Sequence, residues 1–125
     1  MKEESREWKT TFFQQPAQTF CPILGRYDVI WLQWMTGQLK DDDLIAFLGR
    51  CASGLRPNGK IFLKENVSIE HVIYDDEDSS VTRSLENFEI IFRRANLQLV
   101  SKQIQTDFPE WLLDVYMFCL VPGIL

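Results

Sequence analysis

The sequence predicts an α/β fold, specifically a ligand-binding half of a doubly wound sheet, and three observations carry that prediction. The octet Tyr27-Asp28-Val29-Ile30-Trp31-Leu32-Gln33-Trp34 holds five apolar side chains, the pattern of a strand buried inside a parallel sheet covered on both faces. Its polar residue, Gln33, falls near the carboxyl end, where open α/β sheets place their ligands. A helix-period segment, an Arg56-Pro57-Asn58-Gly59 turn and a second apolar strand then follow.

Taken in order, residues 1–10 form a frayed, charged lead, residues 11–121 a partial domain and residues 122–125 a tail. Trp8 to Phe13 is expected to hold a short strand, and Pro16 to Gly25 is loop-like. Tyr27 to Gln33 is the first firm strand. Leu44, Phe47, Leu48, Cys51 and Leu55 recur at helical spacing, so Asp41 to Gly54 is an amphipathic helix. One aspartate of the Asp41-Asp42-Asp43 triplet caps its first turn, and the others suit the positive end of the dipole. Lys60 to Lys64 is a second short strand, and Glu65 to Glu77 a long acidic loop. Val81, Leu85, Phe88, Ile91, Phe92 and Ala95 mark a second helix, with Arg93 and Arg94 in its last turn and Asn96 as its stop. Leu97 to Ile104 and Trp111 to Leu120 are the last two strands. Alternating strands and helices imply parallel pairing. The short connection between the last two strands requires an antiparallel pair.

Composition excludes several classes. The chain has 125 residues, 46% hydrophobic and 25% charged, with a formal net charge of −5, which disfavours a general nucleic-acid binder. Cys21, Cys51 and Cys119 are far apart without a Cys-x-x-Cys, which fits a reducing compartment better than a disulfide framework. One histidine argues against a zinc site. Neither a signal peptide nor a membrane span is expected.

Four stretches together carry a resemblance: the Tyr27–Trp34 octet, Leu55-Arg56-Pro57-Asn58-Gly59, Lys64-Glu65-Asn66, and Asp75-Asp76-Glu77-Asp78-Ser79-Ser80-Val81-Thr82-Arg83. In that order and spacing they resemble the C-terminal half of a Rossmann-like class I S-adenosylmethionine-dependent methyltransferase with two helices and an antiparallel final strand. More narrowly, they resemble the enzymes that methylate the exposed amine of an Xaa-Pro-Lys protein N-terminus. The Arg-Pro-Asn-Gly turn alone is common among methyltransferases. The Gln-Trp pair, the Lys-Glu-Asn and the acidic Asp-Ser-Ser run make the combination specific. The similarity spans about Thr11 to Leu120.

The resemblance implies roles. Gln33 hydrogen-bonds the S-adenosylmethionine cofactor, with Ala17 and Gln18 beside its adenine. Trp34 forms a wall of the peptide channel against the substrate proline, and Asn66 holds the peptide backbone. Asp75, Asp78 and Ser80 receive the basic substrate, with Asp78 nearest the reacting amine and thus the catalytic candidate. A protonated amine has no lone pair, and a carboxylate can attract it and accept or relay its proton. The implied partner is the N-terminal peptide of a protein substrate, with no nucleic acid or membrane involved, in the cytoplasm and nucleus.

Two substitutions depart from the family pattern: Gln38 stands where the family has a histidine, and Leu113 where it has a tyrosine. No two glycines form Gly-x-Gly, so the loop with which class I enzymes hold the methionine end of the cofactor has no counterpart. The chain is thus expected to be a truncated form that binds cofactor weakly or not at all. The edge beside Tyr27 to Gln33 is then open and prone to self-association, with the Trp8 to Phe13 segment loosely placed or covering it.

Each motif has a plainer reading. Trp31 and Trp34 could be core aromatics, the Asp75–Asp78 cluster a solvated loop, His71 a surface histidine, and Lys64 a strand-end residue that extends to solvent. Three functions compete: the peptide-modifying enzyme, a non-catalytic fragment that binds another protein, such as a full-length relative, through its open edge, and a small-molecule methyltransferase.

Overall fold

The computed structural model describes residues 9–69, 71–77, 79–105, 109 and 113–123. The elements run β1 (Tyr27–Gln33), a 3-10 turn (Thr36–Gln38), α1 (Asp41–Gly54), β2 (Leu55–Val67), β3 (Ile73–Asp75), β4 (Ser80–Thr82), α2 (Leu85–Arg94), β5 (Leu97–Gln105) and β6 (Asp114–Pro122). Four strands form one sheet in the order β1-β2-β6-β5, and β3 and β4 form a separate hairpin. β1 and β2 are parallel, while β6 runs antiparallel to both of its neighbours, β2 and β5. The expected antiparallel pairing of the last two strands is therefore present. β6 also inserts between β2 and β5, so the third forward strand has no parallel neighbour.

Strand alternation sorts the sheet into two faces. Ile61, Leu63, Phe118 and Leu120 point to one side, where they meet Leu44, Leu48 and Cys51 of α1 and Phe88, Ile91 and Phe92 of α2 in one buried core. Phe118 is its aromatic centre, with ring centroids 5.4 Å from Phe88, 5.1 Å from Phe92 and 5.7 Å from Tyr116. The other face carries Val29, Trp31 and Phe62. Val29 and Trp31 remain 54% and 52% exposed, and the rings of Trp31 and Phe62 lie 5.9 Å apart.

The expectation of a first strand buried on both faces is therefore corrected. An apolar run shows what a strand can bury, and among the described residues both helices pack on the same side. Among the described residues β1 lies at the sheet edge, as expected, paired only with β2. Residues 9–13 hold no strand, contrary to expectation. The Phe13 ring instead lies tilted against Phe20, centroids 5.6 Å apart, and Phe12 is exposed. Residues 1–8 lie outside the described residues.

Other boundaries shift for local reasons. β2 extends well beyond Lys60 to Lys64. Its start absorbs the Arg56–Gly59 turn as an irregularity, since Tyr27 pairs with Leu55 and Val29 with Lys60. Gly59 is required there because a Cβ would stand 2.9 Å from the Arg56 carbonyl and 3.0 Å from that of Tyr27. The end of β2 is carried to Val67 by pairing with β6, so Glu65 belongs to a strand and not to the acidic loop. That loop contains β3, paired Tyr74 to Val81 and Asp75 to Ser80, which places Val81 in a hairpin and not in the second helix.

The aspartate triplet does not cap α1. Lys40 occupies the cap position without a side-chain bond, and all three aspartates lie in the first turn. α2 does have a side-chain cap: the Asn87 amide donates to Ser84 Oγ at 3.2 Å. Ser84→Ala should cost about 1 kcal/mol, read as a lower urea midpoint at unchanged slope. Asn96, at φ 57°, ends α2 as expected.

Candidate functional site

The site is built where β1 and β2 end. After Gln33 the chain turns sharply at Trp34, which adopts φ 47°, a left-handed conformation that is costly for a bulky side chain. The Trp34 amide donates to the Lys64 carbonyl at 3.0 Å and so ties the turn to β2. The Lys64 ammonium lies 5.0 Å from the Trp34 ring centroid, a cation–π distance. Trp34 is 49% exposed, so the core-aromatic reading fails for it, as it does for Trp31.

The 3-10 turn that follows is clamped from two sides. Thr36, fully buried, donates from its amide at 3.1 Å and its hydroxyl at 2.6 Å to Glu65 Oε2. Arg83, 1% exposed, donates to the Thr36 carbonyl at 2.9 Å and the Leu39 carbonyl at 2.6 Å. Its Nε and Nη2 also reach Asp41 Oδ1 at 3.0 and 2.8 Å. This explains the uncapped helix start, because Asp41 is turned toward the guanidinium. The β3–β4 hairpin closes down on the turn: a Cβ on Gly37 would stand 2.9 Å from the Val81 carbonyl.

Two cavities flank this hairpin. The smaller, about 390 Å³, is lined by Trp34, Gly37, Gln38, Glu65, Asn66, Ser80, Val81 and Thr82. The larger, about 800 Å³, is bordered by Lys40, Asp41, Asp42, Tyr74, Asp75, Asp76, Ser79, Arg83 and Arg94 among others, and shares Gly37, Gln38, Ser80 and Val81 with the first. Trp34, Asn66 and Ser80 thus meet in one cavity. Asp75 lies in the other, exposed, with its Oδ1 accepting the Glu77 amide at 3.0 Å. Asp78, the catalytic candidate, lies outside the described residues.

The residues assigned to the cofactor lie apart from both cavities' linings. Gln33 is exposed, and its Oε1 accepts the Trp31 indole N–H at 2.9 Å. Ala17 packs against the core, and the Ala17 and Gln18 carbonyls accept from Arg50 Nη2 of α1 at 2.8 and 3.1 Å. Arg50 therefore orders the loop that carries both residues. Cys51, beside it, is structural. Burial pushes its thiol up to about 12 against the lowering influence of Arg50, so it is protonated at neutral pH and is no nucleophile.

Sequence reasoning missed Glu65, Arg83 and Thr36. Glu65 and Arg83 stood inside the quoted motifs, yet only strand parity and the fold reveal that both are buried. Among the described residues no helix is long and apolar enough to cross a membrane. No group of His, Cys, Asp or Glu there is arranged to hold a metal ion.

With this geometry in view, comparison with known proteins is decisive. The family described as AdoMet dependent proline di-methyltransferase matches residues 1–121. The chain belongs to that family. Within the AdoMet-dependent proline di-methyltransferases, the chain is 50% identical over 109 residues to the mouse N-terminal Xaa-Pro-Lys N-methyltransferase 1. The match covers 87% of this chain and 49% of that protein. It is 46% identical over 110 residues to a rice alpha N-terminal protein methyltransferase 1, covering 88% of this chain and 36% of the relative. A solved SAM-dependent methyltransferase from Leishmania major superposes with a TM-score of 0.80 at 35% identity, over 83% of this chain and 42% of that one. A Burkholderia thailandensis 1,6-didemethyltoxoflavin-N1-methyltransferase, at 16% identity and a TM-score of 0.76, shares the fold. The chain therefore spans about half the length, or less, of the curated relatives it matches. Its Rossmann-like methyltransferase architecture is the partial one the sequence implied.

Proposed function

We propose that the chain serves α-N-terminal protein methylation by binding the leading residues of an Xaa-Pro-Lys substrate. The observation that carries this reading is the cavity that brings Trp34, Asn66 and Ser80 together at the carboxyl ends of β1 and β2. The mouse relative's name points to the same substrate class. In this reading Trp34 packs on the proline, Asn66 holds the peptide backbone, and Asp75 and Ser80 take the basic residue that follows. Asp78 attracts the amine and accepts or relays its proton. Gln38 can hydrogen-bond the peptide but cannot take up a proton at neutral pH.

S-adenosylmethionine would supply the methyl group. The described residues do not complete a site for it: Gln33 is engaged with Trp31, the Ala17 and Gln18 carbonyls with Arg50, and the sequence has no Gly-x-Gly. The chain's own part in the reaction is therefore peptide recognition, with Gln33, Ala17 and Gln18 at most a fraction of the cofactor's contacts. Three free cysteines support a reducing compartment, cytoplasm or nucleus. Calorimetric titration with a free-amine Xaa-Pro-Lys peptide tests the reading. Binding should weaken when Asp78 becomes Asn and when the peptide's proline becomes alanine, and equal affinities would contradict it.

The exposed edge favours a second reading, pairing with another copy. The two sheet edges differ: β5 carries a bulge between Leu99 and Ser101, then Ser101, Lys102 and Gln103, whereas β1 has neither a bulge at its centre nor a charge beyond Asp28. Antiparallel self-pairing about Ile30 would set Val29 against Trp31 of the second copy, with no like charges opposed. Sedimentation should show concentration-dependent dimers that Trp31→Lys abolishes. A monomer at all concentrations would exclude this association.

A further inference from the structure

We infer that Glu65 acts with Asp78 as a second carboxylate that reads the positive charge of the bound peptide's leading amine. Glu65 is only 8% exposed yet lines the smaller cavity beside Trp34 and Asn66. Its Oε2 accepts both donors of Thr36, at 2.6 and 3.1 Å, and its Oε1 accepts one, the Asn66 amide at 3.3 Å. A carboxylate offers about four acceptor directions, so one on Oε1 is left for an incoming donor. The other described residues lining that cavity are uncharged: Trp34, Gln38, Asn66, Ser80 and Thr82 among them. A free peptide N-terminus brings a cation with N–H donors, and a buried, already oriented carboxylate holds it more strongly than an exposed one such as Asp75.

The inference rests on the peptide-binding reading and adds to it a specific discriminator between a free and a blocked amine. Asp75, Asp76 and Glu77 are exposed at the end of β3 and just after it. Glu65 instead comes from the rigid end of β2, where pairing with β6 fixes it opposite Tyr116. Strand placement gives it a position that loop closure need not create.

The test compares an Xaa-Pro-Lys hexapeptide with its N-acetylated form, titrated calorimetrically into the intact chain and into Glu65→Gln. The wild type should prefer the free amine by about tenfold or more. Glu65→Gln should lower that preference by about threefold or more, the loss falling on the free-amine peptide more than on the acetylated one. A variant that keeps the preference, or loses affinity for both peptides equally, would reduce Glu65 to a strut for the 36–38 turn and overturn the inference. Failure of the wild type to bind either peptide would instead overturn the peptide-binding reading, and this inference with it. Should Glu65→Gln not fold, the carboxyl carbon resonance of Glu65 in the wild type decides. It must shift with the free-amine peptide and stay fixed with the acetylated one.

Discussion

Replacing Arg83 with methionine should lower the unfolding free energy by about 2–4 kcal/mol, the cost of a buried carbonyl left without a donor together with the lost charge-assisted hydrogen bonds. Arg83 is 1% exposed and spends its donors on Thr36, Leu39 and Asp41. Methionine fills much of the volume but leaves the Leu39 carbonyl without its donor and the Thr36 carbonyl with the Leu39 amide alone, at 3.1 Å. Asp41 is half exposed and will be hydrated, so the loss comes mainly from the carbonyls. The same change should release the 3-10 turn and weaken peptide binding. Denaturant titration measures the first effect and calorimetry the second. A midpoint shift equivalent to less than about 1 kcal/mol would mean the clamp contributes little.

Phe118→Ala should cost a similar amount, about 3–5 kcal/mol, for a different reason. Phe118 is fully buried between Phe88, Phe92 and Tyr116, and its strand pairs on both sides. Neither β2 nor β5 can collapse into the void without breaking a ladder. Phe118→Leu, which keeps most of the volume, should cost less than about 1.5 kcal/mol. Because Phe118 touches neither cavity, peptide affinity should hold at temperatures where the variant remains folded. A simultaneous loss of affinity would show that the site is less independent of the core than its geometry implies.

The legible parts of this sequence were those written in local periodicity. The spacing of Leu44, Phe47, Leu48 and Cys51 located α1, because burial on one face leaves a repeat in the chain. What covers a strand leaves no such mark. Val29 and Trp31 read as interior residues, yet a run of apolar residues is the same whether its second face is packed or open. β2 was underestimated for a related reason: its first residues bulge around Gly59, and its last are held by β6, about 50 residues away in the chain.

The site was legible to the extent that it was motif. Trp34, Asn66 and Ser80, each singled out from a motif, line one cavity, whereas Asp75 borders the neighbouring one, which Ser80 also lines. Glu65 and Arg83 were overlooked because a charged side chain next to polar neighbours reads as solvated. Their burial depends on strand parity and on the return of the hairpin over Gly37. Gln33 shows the limit of placing a residue by element alone. It stands at the carboxyl end of β1 as predicted, but its amide is turned to the indole of Trp31.

Titrating the chain and its Trp34→Ala variant with an Xaa-Pro-Lys peptide tests the central claim most directly. A strand-end indole that forms a recognition wall predicts at least about a tenfold drop in affinity, with the circular dichroism and the unfolding midpoint little changed. Matched affinities for wild type and variant would mean that the cavity beneath the hairpin is not where a peptide begins.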